Sequence, residues 1–172
     1  MSLEGKTAVV IGASGQHNFG VAIAKALANE GAKVIVSGRR RAPLETLASE
    51  IGGIAIPCDM GDEASIQSLF QSASEQAGPV PIAINSAGAL AGNPIAALTR
   101  EAIQPTLDVS FIGALLMFKY AAEVMTEGGS IMTISSLTAR LPGPGLAVYA
   151  AARAGIDYAI KIAAVEYGEQ NI

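Results

Sequence analysis

The chain has one cysteine, Cys58, and one histidine, His17, in 172 residues. A single thiol excludes an internal disulfide framework and a cysteine-based zinc site, and a reducing cytoplasm is the compartment it fits. His17 lacks the partners a metal ligand needs and is expected to be a solvated loop residue, so no metal centre is expected. Charge is scarce as well, at 15% of residues, and 11 basic against 15 acidic side chains leave a net charge of −4. That balance gives no electrostatic reason to expect nucleic acid or an anionic membrane surface as partner. No apolar run reaches the roughly 18 residues of a membrane-crossing helix. The opening "MSLEGKTAVVIG" lacks the basic start and cleavable apolar segment of a secretory signal. Repeats, low-complexity tracts and linkers are missing too, and residues 1–172 are expected to form a single domain.

Apolar residues, by contrast, make up 51% of the chain, which excludes a disordered protein. So much apolar surface is most simply hidden in a parallel sheet covered on both faces and at subunit contacts. Short β-branched runs alternate with longer helical patterns, the mark of repeated strand–helix–strand units. Strands are predicted from Thr7 to Ile11, Lys33 to Ser37, Ile54 to Cys58, Ile82 to Asn85 and Ser130 to Ser135. Helices are predicted from Val21 to Glu30, stopped by Gly31, from Pro43 to Ile51, stopped by Gly52, and from Asp62 to Gln76, with Asp62 capping. A fourth helical region spans Thr99 to Met125, with Pro105 expected to break or bend its beginning. A fifth runs from about Ala147 to Tyr167 and ends at Gly168. The fold class is therefore α/β, a Rossmann-type doubly wound parallel sheet in three layers.

Two stretches have the chemistry of a dinucleotide site. The first strand runs into "IGASGQHNFGVAIA", whose glycines at 12, 15 and 20 precede a helix; side-chain-free positions let backbone amides and a helix N-terminus approach a pyrophosphate. A strand-to-helix turn without a ligand has the same composition, and position as the first such loop of a doubly wound pattern favours the phosphate reading. The second strand ends in "VSGRRR". An acid there would hold the ribose hydroxyls of NAD, whereas Arg39 and Arg40 favour the extra phosphate of NADP. NADP(H) is thus expected over NAD(H), against the plainer role of solvating the next helix.

The motifs, taken in order, resemble those of the short-chain dehydrogenases/reductases, in the subgroup with a Tyr-x-x-x-Lys site. After the third strand comes "CDM", whose Asp59 matches the family's adenine-contacting aspartate. After the fourth comes "NSAG", Asn85 to Gly88, similar to the family's Asn-Asn-Ala-Gly turn. After the fifth comes "ISS", and Ser136 stands thirteen residues before Tyr149, as the family's catalytic serine stands before its tyrosine. The resemblance covers Leu3 to Ile172. It implies a cofactor site built from Gly12, Ser14, Asn18, Phe19, Gly20, Arg39, Arg40, Asp59, Met60, Asn85, Ala87, Gly88, Tyr149 and Arg153. It further implies a catalytic set of Ser136, Tyr149, Arg153 and Ser110, and a homodimer or homotetramer through the fourth and fifth helices. Relatives continue past the point corresponding to Ile172 into two more strands, so a C-terminally incomplete fold is expected, with the fifth strand liable to be a bare sheet edge.

The departures from the family pattern carry information. Ile11 replaces the usual threonine and the first loop is two residues longer. Alignment on Gly12 and Gly20 puts Asn18 at the middle glycine, where asparagine's tolerance of the left-handed conformation makes it acceptable. Ser110 in "DVSFIG" stands for an asparagine that supports a local helix distortion and a water linked to the active-site lysine. Arg153 stands for that lysine. Tyr149 and Arg153 are four residues apart on one helix face, an arrangement that packing alone also produces. As a catalytic pair, the phenol would supply a proton to a developing alkoxide with a cation beside it. Arginine meets the electrostatic requirement but does not readily lose and regain a proton. The expected function is an NADP-dependent oxidoreductase interconverting an alcohol and a ketone, with a catalytically silent dinucleotide-binding protein as the rival. The related enoyl reductases separate tyrosine and lysine by six residues, and Ile156 occupies that place. Leu137, Leu141 and Leu146 in "LTARLPGPGLAV" favour an apolar substrate.

Overall fold

A computed structural model of the chain describes residues 3–16 and 18–172; His17 lies outside the described residues. Five parallel strands, β1 (Thr7–Ile11), β2 (Lys33–Gly38), β3 (Ile54–Pro57), β4 (Ile82–Asn85) and β5 (Ser130–Thr133), form one sheet in the order β3-β2-β1-β4-β5. Chain order and spatial order diverge between β1 and β4, which is where an open α/β sheet leaves a crevice beyond its strand ends. At that level Ser37, Ile11, Asn85 and Thr133 stand in one register row across four strands. The predicted strands are all present. β3 and β5 stop before their predicted ends at Cys58 and Ser135, although Cys58 N still donates to Gly38 O and Ile134 N to Asn85 O.

Among the described residues six α-helices cross over the sheet: α1 (Phe19–Asn29), α2 (Arg41–Ile51), α3 (Glu63–Ala77), α4 (Arg100–Leu107), α5 (Gly113–Val124) and α6 (Ala147–Glu166). Their termini follow the local chemistry. Asp62 accepts from Ala64 N and Thr99 from Ala102 N, capping α3 and α4, while Gly52 ends α2 in the left-handed conformation at φ 66°. Pro105 does not break its helix. It sits inside α4, where its missing N–H frees only the carbonyl one turn earlier, on the exposed Glu101. The irregularity comes just after it, as a π-helical segment over Asp108–Ile112 that joins α4 to α5.

Alternate residues of the strands feed two cores. Val9, Ile11 and Ile35 pack with Leu69 and Phe70 of α3, Met117 of α5 and Ile156 of α6. Val10, Val34 and Val36 pack on the opposite face with Ala24 of α1 and Leu44 and Leu47 of α2. β1 is buried along its whole length and β2 from Val34 onward, as a doubly covered parallel sheet requires. Coverage is not complete, however. Among the described residues the second core takes nothing from β4 or β5, and Met132 on that face of β5 is 42% exposed. β5 is thus an edge strand with one open face, in line with the expectation for the fifth strand.

Candidate functional site

A crevice of about 530 Å³ opens beyond the carboxyl ends of β1, β2, β3 and β4. Its lining brings together Gly12, Ser14, Asn18, Arg39, Arg40, Asp59, Met60, Ala87 and Gly88 from four separate loops. Phe19 is not among them: it opens α1 and is 71% exposed. Gly20 and Asn85 lie beneath the surface of the crevice and shape it from below.

The β1 loop is fitted to its neighbours by the absence of side chains. Gly12 has φ +90°, and a Cβ there would stand 2.7 Å from both Ala87 N and Ser86 Oγ. At Gly20 a Cβ would stand 2.7 Å from Gly12 O and from Ser86 Oγ. Such a cradle, with the N-terminus of α1 behind it, fits the pyrophosphate of a dinucleotide. Asn18 acts differently from the expectation. Its backbone is extended, at φ −99° and ψ 170°, so its tolerance of the left-handed region is not used. Instead its Oδ1 accepts from Val21 N at 3.0 Å and its Nδ2 donates to Gly12 O at 2.7 Å, capping α1 and bracing the loop together.

The two arginines after β2 also differ. Arg40 donates to the carbonyl of Ser14 and so ties the β2 end to the glycine loop. Arg39 is exposed at the crevice and has no partner among the described residues. At the β3 end, Asp59 accepts from Gly61 N at 2.9 Å and donates its own N–H to Ser65 Oγ at 3.0 Å. Behind it lies the Cys58 thiol, pushed up to about 11 by burial.

The β4 end carries the turn Asn85–Ala89. Asn85 Oδ1 accepts from Ala87 N at 2.9 Å. Ser86 donates both its N–H, at 3.0 Å, and its hydroxyl, at 2.7 Å, to Ile11 O. Ser86, against which both Gly12 and Gly20 are fitted, was missed in the sequence; its only signal was a place inside the "NSAG" turn. Ser110 is fully buried in the π segment, and its hydroxyl accepts from Ala89 N at 3.0 Å and donates to Ala89 O at 3.1 Å. Its hydrogen is thereby committed to the β4 loop.

Ser136 follows β5 directly and caps the short turn Leu137–Ala139, with its Oγ 2.8 Å from Thr138 Oγ1 and 3.3 Å from Thr138 N. Thr138 is a second residue that sequence reasoning passed over. That short turn packs against α6, whose first turn carries the half-buried Tyr149. One turn on, Arg153 is only 4% exposed. It donates from Nη2 to Ala87 O at 2.9 Å, and its Cζ lies 5.2 Å from the centre of the Tyr149 ring. Its Nε and Nη1 are buried without a partner among the described residues. Tyr149 and Arg153 do not line the crevice itself.

Comparison with known proteins bears on this arrangement. Residues 12–172 match the family model described as enoyl-(acyl carrier protein) reductase. The chain is 31% identical to an enoyl-acyl-carrier-protein reductase (NADH) of Bacillus subtilis, covering 99% of this chain and 70% of that one. It is 32% identical to an NADP-dependent (R)-specific alcohol dehydrogenase of Lentilactobacillus kefiri, covering 95% of this chain and 67% of that protein. Among solved structures, a short-chain dehydrogenase/reductase from Serratia marcescens superposes with a TM-score of 0.92 at 32% identity, covering 98% of this chain and 71% of that one.

Proposed function

Since the chain belongs to the short-chain dehydrogenase/reductase family of oxidoreductases, we propose that it interconverts an alcohol and a ketone with NADP(H). Tyr149 acts as the general acid/base and Ser136 holds the substrate oxygen. The observation that carries the cofactor half is the cradle at Gly12 and Gly20, where a side chain would displace the neighbouring loop. When bound, the nicotinamide supplies the hydride. Gly12, Ser14 and the N-terminus of α1 would receive the pyrophosphate, Asp59 and Met60 would flank the adenine, and Ala87 and Gly88 would face the adenosine ribose. Arg39, exposed at the crevice, would take the 2′-phosphate, with Arg40 steadying the loop beside it.

For the chemical step, the Ser136 hydroxyl, itself in contact with the Thr138 hydroxyl, donates a hydrogen bond to the substrate oxygen and stabilises charge growing there. Tyr149 transfers the proton. The guanidinium over the Tyr149 ring adds positive potential without exchanging a proton of its own, so proton return to solvent is expected to be slower than through a lysine. Leu137, Leu141 and Leu146 favour an apolar substrate, and Leu137 and Leu141 are exposed. The reducing cytoplasm suggested by the single thiol suits this reading, as does a homodimer or homotetramer.

NADPH oxidation is to be followed over a panel of ketones, aldehydes and enoyl thioesters, with binding measured separately by fluorescence. Tyr149→Phe is expected to lower kcat/KM by about 100-fold or more while leaving the NADPH dissociation constant within about threefold. Turnover of enoyl thioesters with no ketone consumed would favour the enoyl reductase reading, to which the family model and the lengthened first loop point. Binding of NADPH with no turnover of any substrate, and Tyr149→Phe behaving identically, would leave a silent dinucleotide-binding protein. Tighter binding of NADH than NADPH would overturn the role given to Arg39.

A further inference from the structure

We propose that Arg153 is a positioning residue which, with Ser110, pins the Asn85–Ala89 turn, so that the wall of the crevice is set before any dinucleotide arrives. The inference rests on the dinucleotide reading of the crevice for its functional meaning, though not for its geometry. Ala87, Gly88 and Ala89 all line the crevice, and three of the backbone groups flanking Gly88 are held from outside the turn. Ala87 O is held by Arg153 from α6, and both Ala89 N and Ala89 O are held by Ser110 from the π segment. The two pins converge on Gly88: a Cβ there would run into the Arg153 guanidinium and lie 3.8 Å from Ser110 Oγ.

The pin has the character of arginine. One planar group bonds the Ala87 carbonyl and lies over the Tyr149 ring, so the turn and the phenol are indexed to a single rigid body. A lysine ammonium ends one bond nearer its backbone and has no plane to lay on the ring. Burial argues in the same direction. The ion pairs among the described residues are Lys25–Glu50, Arg41–Glu45 and Lys119–Glu63; none includes Arg153, which is buried with Nε and Nη1 unpartnered. A buried cation without a counter-ion is destabilising, and an apolar side chain of similar length would pack there at less cost. Stability alone does not account for an arginine in this position. Holding the crevice wall does.

Arg153→Met, Arg153→Lys and Ser110→Ala are to be compared with the parent by thermal unfolding, by NADPH titration and by amide hydrogen exchange of the ligand-free chain. Arg153→Met is expected to raise the unfolding temperature, to accelerate exchange at residues 87–89, and to weaken NADPH about tenfold through lost preorganisation. Ser110→Ala is expected to accelerate exchange at Ala89 and to weaken NADPH too, and the double variant by less than the product of the single effects, since both pins act on one turn. Arg153→Lys is expected to restore only part of the binding. Unchanged exchange at 87–89 in both Arg153→Met and Ser110→Ala would overturn the proposal. So would a lowered unfolding temperature with unchanged NADPH affinity, which assigns Arg153 to packing. Full recovery of affinity in Arg153→Lys, with a shifted pH profile of kcat, would place its charge on the dinucleotide instead. Failure of the parent to bind NADPH would sink the dinucleotide reading, while the exchange data on the ligand-free chain would still decide the pin.

Discussion

Cys58 shows how the environment of one residue sets its chemistry. Its side chain lies beneath the crevice, 2% exposed, and burial pushes the thiol from 9.0 up to about 11 despite a hydrogen bond with Ser65. The folded state therefore binds this proton more tightly than the unfolded state does. Its contribution to stability is fully present below about pH 9 and is lost as pH rises toward 11, a range worth roughly 3 kcal/mol. Unfolding followed by denaturant titration between pH 8 and 11 should show a parent whose stability falls more steeply than that of Cys58→Ala. A thiol so placed should also resist alkylation at pH 8 until the chain unfolds. The residues of the candidate site divide in a similar way. Those whose role lies in what they lack, Gly12 and Gly20, were legible in the sequence, because only glycine serves a tight approach. Those whose role is a specific bond were not: Ser86 and Thr138 are unremarkable serine and threonine until a neighbouring loop is placed against them.

The termini of the elements depend on chemistry near in sequence, and there sequence reasoning came close. Asn18 is the instructive case, because the position was recognised for the wrong reason: a cap and a brace are made by its side chain, where a backbone tolerance was expected. Asn18→Ala removes both bonds and should destabilise the chain by about 1–2 kcal/mol. Asn18→Gly, which keeps the cap position open to water, should cost less than Ala if the cap is the larger part. Chemical denaturation of the two variants separates these contributions. The π segment was out of reach in outline. The sequence carried a hint of distortion at Ser110 through family resemblance, but the widened turn is held by contacts to Ala89, 21 residues away. Pro105 is a strong local signal, yet it leaves its helix unbroken because its missing donor falls beside solvent-exposed backbone.

At the scale of the whole molecule, the doubly wound topology was the most legible feature, since strand length, β-branching and helix spacing all agree on it. What covers the outer faces was the least legible. Tyr158, Ile162 and Val165 recur along one face of α6, and Ile112 and Leu115 lie exposed where α5 begins. An apolar stripe of this kind is costly to leave in water, in keeping with the proposed homo-oligomer. Sedimentation velocity should find Ile162→Lys at a smaller sedimentation coefficient than the parent at equal concentration, with its far-ultraviolet dichroism retained. Equal coefficients for the two would remove α6 from the contact.

The uncovered flank of β5 has a geometrical implication of its own. Strands in this sheet all point the same way, and β5 delivers Ser136 within three residues of its end. Any strand laid alongside β5 in the same direction would release its own following residues next to that hydroxyl. Lengthening the ladder at this margin and walling in the Ser136 hydroxyl would therefore be one structural event.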